Sequence, residues 1–170
     1  MNQTKITNEK RLHDIIHNFL INFSFFNVLN KDELTIIANH LNIEEIDQGK
    51  ILFKEGDKGD CVYFIVDGKL DVLKESVSGK QVGIDKVSIT TLSKGNSIGE
   101  MSIIDKIHRS ATVRAQTKTA LVTLTLSGFD SICDDYPKIG IKIIKEISRL
   151  LSINMRKTSS RLADYMLAIS

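Results

Sequence analysis

The chain has 170 residues, of which 42% are hydrophobic and 26% are charged, and its formal net charge is +2. This length and composition predict one globular domain with a hydrophobic core. The small net charge excludes the strong positive field that non-specific binding to nucleic acid or membranes requires. The two cysteines, Cys61 and Cys133, form neither a disulfide framework nor a Cys-x-x-Cys pair, which predicts a reduced, cytoplasmic protein.

The N-terminal helical segment is predicted to be residues 1–43, and its apolar residues have helical spacing from residue 9 onward. Its first helix is predicted from an apolar stripe that consists of Leu12, Ile15, Ile16, Phe19 and Leu20. A second helix is predicted to begin at Asn30, whose side chain caps the first turn while Glu33 reaches back to the Asn30 amide. The buried side of this second helix is predicted to consist of Leu34, Ile36, Ile37 and Leu41.

The central segment, residues 44–127, changes to short β-rich runs separated by glycines. The candidate strands are residues 51–53, 62–66, 70–73, 82–92, 111–113 and 121–126. Asp67 and Gly68 are typical of a hairpin turn, because both residue types tolerate positive φ angles. Many short strands with turn residues between them indicate a mainly β fold with flanking helices, a β-roll or jelly-roll-like barrel.

The C-terminal segment, residues 128–170, returns to helical spacing. Pro137 suits the first turn of a helix, because its fixed φ is already helical and its missing N–H is not needed there. Apolar residues then recur every three or four positions as far as Ile169. We expect a long C-terminal helix that leaves the barrel and pairs with its copy in a homodimer. The alternative is a helix that packs wholly on its own domain.

Residues 99–115 are the most informative part of the chain. Glu100 stands nine residues before Arg109, and apolar residues lie between them. A carboxylate accepts hydrogen bonds from sugar hydroxyls, and a planar guanidinium can donate two parallel hydrogen bonds to a phosphate. One group of each kind on a short segment suits a ligand whose ribose and phosphate lie close together, as they do in a cyclic nucleotide.

This segment resembles the phosphate-binding cassette of cyclic nucleotide-binding domains. Gly99 and Glu100 match the family's Gly-Glu pair without a gap, Arg109 matches its arginine, and residues 111–113 match its exit strand. Upstream, the glycine-punctuated entrance to the family's barrel is matched by Gly49, Leu52, Phe53, Glu55, Gly56, Asp57, Gly59, Asp60, Tyr63, Phe64, Ile65 and Gly68. The resemblance covers roughly residues 20–160, so it implies that all three segments form one cyclic nucleotide-binding domain.

The resemblance also implies roles for single residues. Arg109 would bind the cyclic phosphate, and Glu100 would accept a hydrogen bond from the ribose 2′-hydroxyl. Without a ligand, they would be a surface arginine at a strand start and an acid favoured by a helix dipole. Gly99 would let the backbone approach the ligand, and Ser102 would lie in a first helical turn whose free N–H groups favour an anion. The candidate binding residues are Gly99, Glu100, Met101, Ser102, Arg109, Ser110, Ala111 and Asn154.

The chain departs from the family pattern at four positions, Ile98, Ser102, His108 and Ser110. These departures leave the expected phosphate and ribose contacts intact, but they do not decide which base the ligand carries. A serine directly after the arginine, as at Ser110, is similar to the catabolite activators, in which this serine touches the cyclic phosphate. The similarity favours cyclic AMP over cyclic GMP as the ligand. A hydroxyl here can instead accept from the guanine amino group, or Ser110 is simply solvated. Asn154 is expected either to contact the base or to fix the register of a dimer.

The sequence contains no P-loop, zinc-binding or nucleophile-elbow motif, so we expect no enzyme, no cofactor and no metal site. His13 and His17 have a metal-binding spacing, but they lack a third ligand and are typical of a solvated helix face. No helix-turn-helix module and no membrane span is evident, so neither direct nucleic-acid binding nor a membrane location is expected.

These observations predict a free-standing sensor, similar to the catabolite activators but without a DNA-binding module. It would bind cyclic AMP, or else cyclic GMP, and would signal to an unidentified protein partner by moving its C-terminal helix. The alternatives are a dimeric scaffold protein on the same fold that acts without a ligand, and a fragment of a transcription regulator.

Overall fold

The computed structural model describes residue 16, residues 18–76 and residues 85–169. The predictions that lie outside these residues are those for Leu12, His13, Ile15, His17 and residues 82–84.

Helices flank a set of eight strands. The helical elements are residues 18–22, the 3₁₀ helix Ser24–Phe26, α1 (Lys31–Ala38), α2 (Glu100–Asp105), α3 (Leu126–Asp135) and α4 (Pro137–Ile169). The strands are β1 (Leu41–Ile46), β2 (Ile51–Phe53), β3 (Cys61–Asp67), β4 (Lys69–Ser76), β5 (Asp85–Ser93), β6 (Ser97–Ile98), β7 (Thr112–Ala115) and β8 (Thr119–Thr125). The β segment thus begins at Leu41 rather than at residue 44 and ends at Thr125 rather than at residue 127.

The predicted capping box at the start of α1 is confirmed. Asn30 Oδ1 accepts a hydrogen bond of 2.9 Å from the Glu33 amide, and Glu33 Oε2 accepts one of 2.8 Å from the Asn30 amide. The expectation that Leu41 lies on this helix is wrong, because α1 ends at Ala38 and Leu41 begins β1, where it pairs with Leu124. Cross-strand pairing with β8 therefore overrides the helical spacing of the sequence.

The strands form two antiparallel sheets with the orders β1-β8-β3-β6 and β2-β7-β4-β5. β1 pairs with β8, β2 with β7, β3 with β6, and β4 with β5. This nesting of first strand with last is the topology of a jelly roll. It confirms the predicted mainly β fold with flanking helices and a long C-terminal helix.

The prediction of a hairpin at Asp67 and Gly68 is wrong. Gly68 has a φ of +93°, but β3 and β4 lie in different sheets, so the chain crosses here from one sheet to the other. The Lys69 amide donates a 3.0 Å hydrogen bond to Thr117 Oγ1 in the turn before β8. A Cβ on Gly68 would lie 2.6 Å from the carbonyl oxygen of Lys118, so the glycine permits close packing of the two turns.

Two helices, and not one, occupy the C-terminal segment. Thr125 Oγ1 accepts a 3.1 Å hydrogen bond from the Gly128 amide and caps α3. The predicted position of Pro137 is confirmed, since it is the first residue of α4. Gly140 of α4 lies close to α3, because a Cβ there would be 2.8 Å from the sulfur of Cys133.

The hydrophobic core has two parts. The larger part lies between the helices and the first sheet, and it contains five phenylalanine rings whose centroids are 4.9–6.1 Å apart: Phe19, Phe23, Phe25, Phe26 and Phe64. The smaller part fills the space between the two sheets and contains Ile65, Leu70, Val113, Ala115 and Leu121.

The last helix is buried on one face over its first half only. Ile139, Ile143 and Ile147 are at most 4% exposed, whereas every side chain from residue 154 to residue 168 is exposed. Lys142 Nζ lies 2.7 Å from both carboxylate oxygens of Glu33 and joins α4 to α1. The helix thus does not pack wholly on its own domain. Within the described part of the chain, no helix is both long and apolar enough to cross a membrane.

Candidate nucleotide-binding site

The segment that carries the predicted site leaves β6, turns at Gly99, forms α2 and returns through a loop to β7. Gly99 has a φ of +88°, a left-handed conformation that side chains disfavour. A Cβ on Gly99 would lie 2.9 Å from the carbonyl oxygen of Cys61 and would overlap the guanidinium of Arg109. The glycine therefore lets the turn close over Arg109.

Arg109 is a buried cation with weak polar contacts. The residue is 4% exposed. Its Nη1 donates a 3.3 Å hydrogen bond to the carbonyl oxygen of Gly99, and its Nη2 lies 3.5 Å from the sulfur of Cys61. Burial raises the pKa of the Cys61 thiol, so this sulfur is neutral. Arg109 Nε finds no acceptor among the described residues.

Arg109 forms one ion pair among the described residues, with the carboxylate of Asp60. Asp60 Oδ1 lies 4.0 Å from Arg109 Nη2, and the Asp60 side chain is 76% exposed. At this distance and exposure, water screens most of the attraction. The charge of Arg109 is consequently little compensated.

Two aromatic rings lie beside the guanidinium. Its central carbon is 4.3 Å from the ring centroid of Phe53 and 5.7 Å from that of Tyr63. The two rings are themselves stacked, with centroids 5.9 Å apart and planes at 25°. Both residues were recognised in the sequence only as part of the barrel entrance, because β2 and β3 are brought to the cassette by the sheet topology.

Glu100 is the second buried charged group of the site, with an exposure of 8%. Burial raises the pKa of its carboxyl group, while its own backbone amide and the charge of Arg109 partly offset this effect. Carboxylate and guanidinium are near enough to interact electrostatically, but they share no hydrogen bond. Each therefore keeps hydrogen-bonding capacity for a third group.

The structure brings most of the other candidate residues close to this pair. Ser102 is buried, and a Cβ on Gly59 would overlap its side chain and lie 3.4 Å from Arg109 Nε. Met101 is half-exposed and Ala111 is half-buried. Gly59 belongs to the family's glycine pattern in the sequence. In the structure, the absence of a side chain at Gly59 lets Ser102 of the cassette pack closely against it.

Ser110 is exposed at the exit of the loop. Its carbonyl oxygen accepts a 2.8 Å hydrogen bond from Lys74 Nζ, which also pairs with Glu55. Asn154 lies on the exposed half of α4, and no hydrogen bond or ion pair among the described residues joins it to the cassette. In the same part of the chain no group of three metal-ligating side chains is found.

The profile of the family described as "Cyclic nucleotide-binding domain" matches residues 43–136, which is more than half of the chain. The chain belongs to this family. A cyclic nucleotide-binding domain is a regulatory fold, and in this one the matched residues include all eight strands except the start of β1.

Two curated relatives are enzymes much longer than this chain. The lysophospholipase nte1 of Neurospora crassa is 27% identical over 84% of the chain and 8% of its own length. The cGMP-dependent protein kinase of Toxoplasma gondii is 33% identical over 62% of the chain and 10% of its own length. The chain thus spans about a tenth or less of these relatives, so the similarity is one of domains.

Two solved structures show the same fold. A cyclic nucleotide-binding domain from Methylobacillus flagellatus has a TM-score of 0.77 and 23% identity, over 91% of this chain and 84% of that one. A regulatory subunit of a cAMP-independent protein kinase A from Trypanosoma brucei has a TM-score of 0.72 and 22% identity, over 89% of this chain and 52% of that one. That structure is of a triple mutant, in which arginine replaces a threonine, with cAMP bound.

Proposed function

We propose that the chain is a regulatory sensor that binds a cyclic mononucleotide, with Arg109 on the cyclic phosphate and Glu100 on the ribose. The observation that carries this proposal is the buried guanidinium of Arg109, whose Nε has no acceptor among the described residues. A buried charge whose hydrogen-bond donors are only partly satisfied is costly to the folded protein. A phosphate that accepts hydrogen bonds from the guanidinium removes this cost.

Glu100 supplies the acceptor that a ribose needs. Its pKa is raised because the carboxyl group is buried. A sugar hydroxyl that donates to the carboxylate stabilises the ionised form. A cyclic phosphate shares its ring with the ribose, so one small ligand can serve both side chains at once.

For the base we propose adenine over guanine, with Ser110 serving the phosphate. The cAMP bound in the Trypanosoma brucei structure, which has the same fold, supports adenine as the base. Cyclic GMP is the second candidate ligand, because the Toxoplasma gondii relative is a cGMP-dependent kinase and the exposed hydroxyl of Ser110 can accept from guanine. The base contact from the last helix is assigned to Asn154.

For signal transmission, we propose that nucleotide binding moves α4 and that a protein partner in the cytoplasm binds differently to the moved helix. The exposed half of α4 carries the large apolar side chains of Met155, Leu162, Tyr165 and Met166, which are 60–70% exposed. A spacing of seven residues between Met155 and Leu162 is typical of a helix that pairs with another helix. We propose a second copy of the chain as the occupant of this face, which makes the sensor a homodimer.

A dimeric scaffold that does not respond to nucleotide is the second candidate function. The observation that favours it is the Trypanosoma brucei subunit, which has the same fold and belongs to a cAMP-independent kinase. The two candidates differ in one measurable property, the affinity for cyclic nucleotides.

The test is calorimetric titration of the purified chain with cyclic AMP, cyclic GMP and 2′-deoxy cyclic AMP. We expect saturable binding of cyclic AMP, weaker binding of cyclic GMP and still weaker binding of the deoxy ligand. Absence of heat with either ribonucleotide, at concentrations up to a millimolar, would support the scaffold instead. Light scattering of the wild type and of Leu162→Asp measures the dimer, and an equal mass for both proteins contradicts the proposed face.

A further inference from the structure

The guanidinium of Arg109 lies over the ring of Phe53, and its polar contacts are weak by comparison. Its 3.3 Å hydrogen bond to the carbonyl oxygen of Gly99 is long, and its 3.5 Å contact is with the sulfur of Cys61, a weak acceptor. The carboxylate of its ion pair is 4.0 Å away and exposed. The Phe53 ring, at 4.3 Å, is well inside the distance at which a cation is attracted to an aromatic face. The ring is thus the group that best defines where the guanidinium lies.

This arrangement matters for a ligand because a guanidinium donates hydrogen bonds in its own plane. A carboxylate partner would occupy the same N–H groups that a phosphate needs, and it would have to be displaced. An aromatic ring brings no carboxylate that has to be displaced, and Arg109 Nε has no hydrogen-bond acceptor among the described residues. Phe53 and Tyr63, stacked on each other beside Arg109, can therefore hold the side chain in place both before and after an anion binds.

From this geometry we infer that Phe53 is a positioning residue for Arg109, and that Tyr63 supports it through ring stacking. The inference rests on the proposed function, because it assigns Phe53 to the binding of the cyclic phosphate. Phe53 touches the arginine and not the nucleotide. Its role is to reduce the freedom that Arg109 loses when the complex forms, which is a source of affinity without a new ligand contact.

The test uses phenylalanine analogues at position 53 that carry one, two and three fluorine atoms. Fluorine withdraws electron density from the ring face and weakens its attraction for a cation, while the shape of the side chain hardly changes. We expect the Kd for cyclic AMP to rise stepwise with each fluorine, to about 3- to 30-fold for the trifluorinated ring. Phe53→Tyr keeps the ring face and should bind like the wild type, whereas Phe53→Leu should bind like the trifluorinated protein.

The matched control is the same fluorinated series at Phe25, which is buried among other phenylalanine rings in the larger core. There we expect no trend in the Kd. A Kd that is flat across the series at position 53, or an equal trend at position 25, would overturn the inference.

A second measurement separates this inference from the proposed function. The unfolding equilibrium constants of the wild type, Phe53→Leu, Arg109→Met and the double variant form a cycle in the ligand-free protein. We expect a coupling factor of about 2- to 10-fold between the two sites. If the wild type binds no nucleotide, the proposed function fails. The contact between Phe53 and Arg109 is then tested by the double-mutant cycle alone, and a coupling factor of one refutes it.

Discussion

Two of the buried charged side chains, Asp71 and Arg109, differ in how well their hydrogen-bonding groups are satisfied. Asp71 on β4 is 7% exposed, and its carboxylate accepts hydrogen bonds from Thr91, Gln116 and Arg114 at 2.9, 3.1 and 3.4 Å. Arg109 is 4% exposed and has one long hydrogen bond to a carbonyl oxygen and one to a sulfur, a weak acceptor. One charge is satisfied within the fold, and the other is left with unused donors.

The difference separates a structural role from a binding role. A buried charge that is fully hydrogen-bonded contributes to a unique fold and gains nothing from a ligand. A buried charge with unsatisfied donors lowers the stability of the fold until an anion binds. Mutations of Asp71 should therefore affect unfolding, whereas mutations of Arg109 should affect binding.

Of the variants considered, Arg109→Ala should cause the largest loss of affinity for the nucleotide. Truncation of one partner of a buried charge pair costs about 2–5 kcal/mol, so affinity for cyclic AMP should fall by roughly 30-fold to several thousand-fold. The protein should remain folded. The matched control is Arg114→Ala, which removes an arginine from the Asp71 cluster and should leave the Kd unchanged. Titration calorimetry measures both, and a near wild-type Kd in folded Arg109→Ala would refute the assigned phosphate contact.

Asp71→Ala should have the complementary effect. It leaves the donors of Thr91, Gln116 and Arg114 without their shared acceptor, so we expect a loss of about 2–4 kcal/mol in the free energy of unfolding. Chemical denaturation measures this loss. The Kd for nucleotide, determined where the variant is fully folded, should stay within about twofold of the wild type. A selective loss of binding would mean that Asp71 belongs to the site.

Glu100→Gln should weaken binding by about 1.5–3 kcal/mol, because the amide keeps one carbonyl acceptor but loses the charge. The check is a comparison with 2′-deoxy cyclic AMP, which the wild type and Glu100→Gln should bind with similar affinity. Equal binding of the ribose and deoxyribose ligands by the wild type would show that Glu100 does not contact the 2′-hydroxyl.

The same variant tests the effect of burial on Glu100 through pH. Burial raises the pKa of its carboxyl group above the ordinary value of 4.5, so the folded state holds the proton more tightly than the unfolded state. The stability that this group contributes is fully present below pH 4.5 and is lost as the pH rises through the raised pKa. Glu100→Gln should thus gain stability relative to the wild type as the pH rises to neutrality. A difference that does not vary with pH would contradict this.

Asn154→Ala should have the smallest effect, about 1 kcal/mol or less for one exposed hydrogen-bonding side chain. If Asn154 contacts the base, the variant should bind cyclic AMP more weakly and discriminate less against cyclic GMP. If it fixes the register of a dimer, the oligomeric state or its stability should change and the preference should not. Titration and light scattering on one sample distinguish the two. No change in either would refute both roles.

Local features of this fold could be predicted from the sequence because their physical causes are local. The capping box at Asn30 and Glu33 and the helix start at Pro137 depend on a few neighbouring residues. The turn at Gly68 was misinterpreted, because its positive φ suits a hairpin and a crossing between sheets equally well. Only the pairing of β3 with β8, and of β4 with β7, decides between them.

The candidate site shows the same limit. The spacing of Glu100 and Arg109 within one segment predicted that the two side chains lie together, and the structure buries both within electrostatic reach of each other. The ring of Phe53 could not be placed beside Arg109 from the sequence, since β2 meets the cassette only when it pairs with β7. The exposure of Asn154 could not be predicted from the sequence either, because the apolar spacing of a helix does not show where its packing against the domain ends.

The most direct test of the central claim is the unfolding of the wild type and Arg109→Met, with and without cyclic AMP. With ligand at 100 times the wild-type Kd, the wild type should gain about 2.7 kcal/mol in the free energy of unfolding, and the variant, whose Kd is at least about 30-fold higher, should gain no more than about 0.9 kcal/mol. Without ligand, the variant should be about as stable as the wild type, because the guanidinium that it lacks makes only weak hydrogen bonds and one ion pair with an exposed carboxylate. A variant that is much less stable without ligand, or that cyclic AMP stabilises as much as the wild type, would contradict the account.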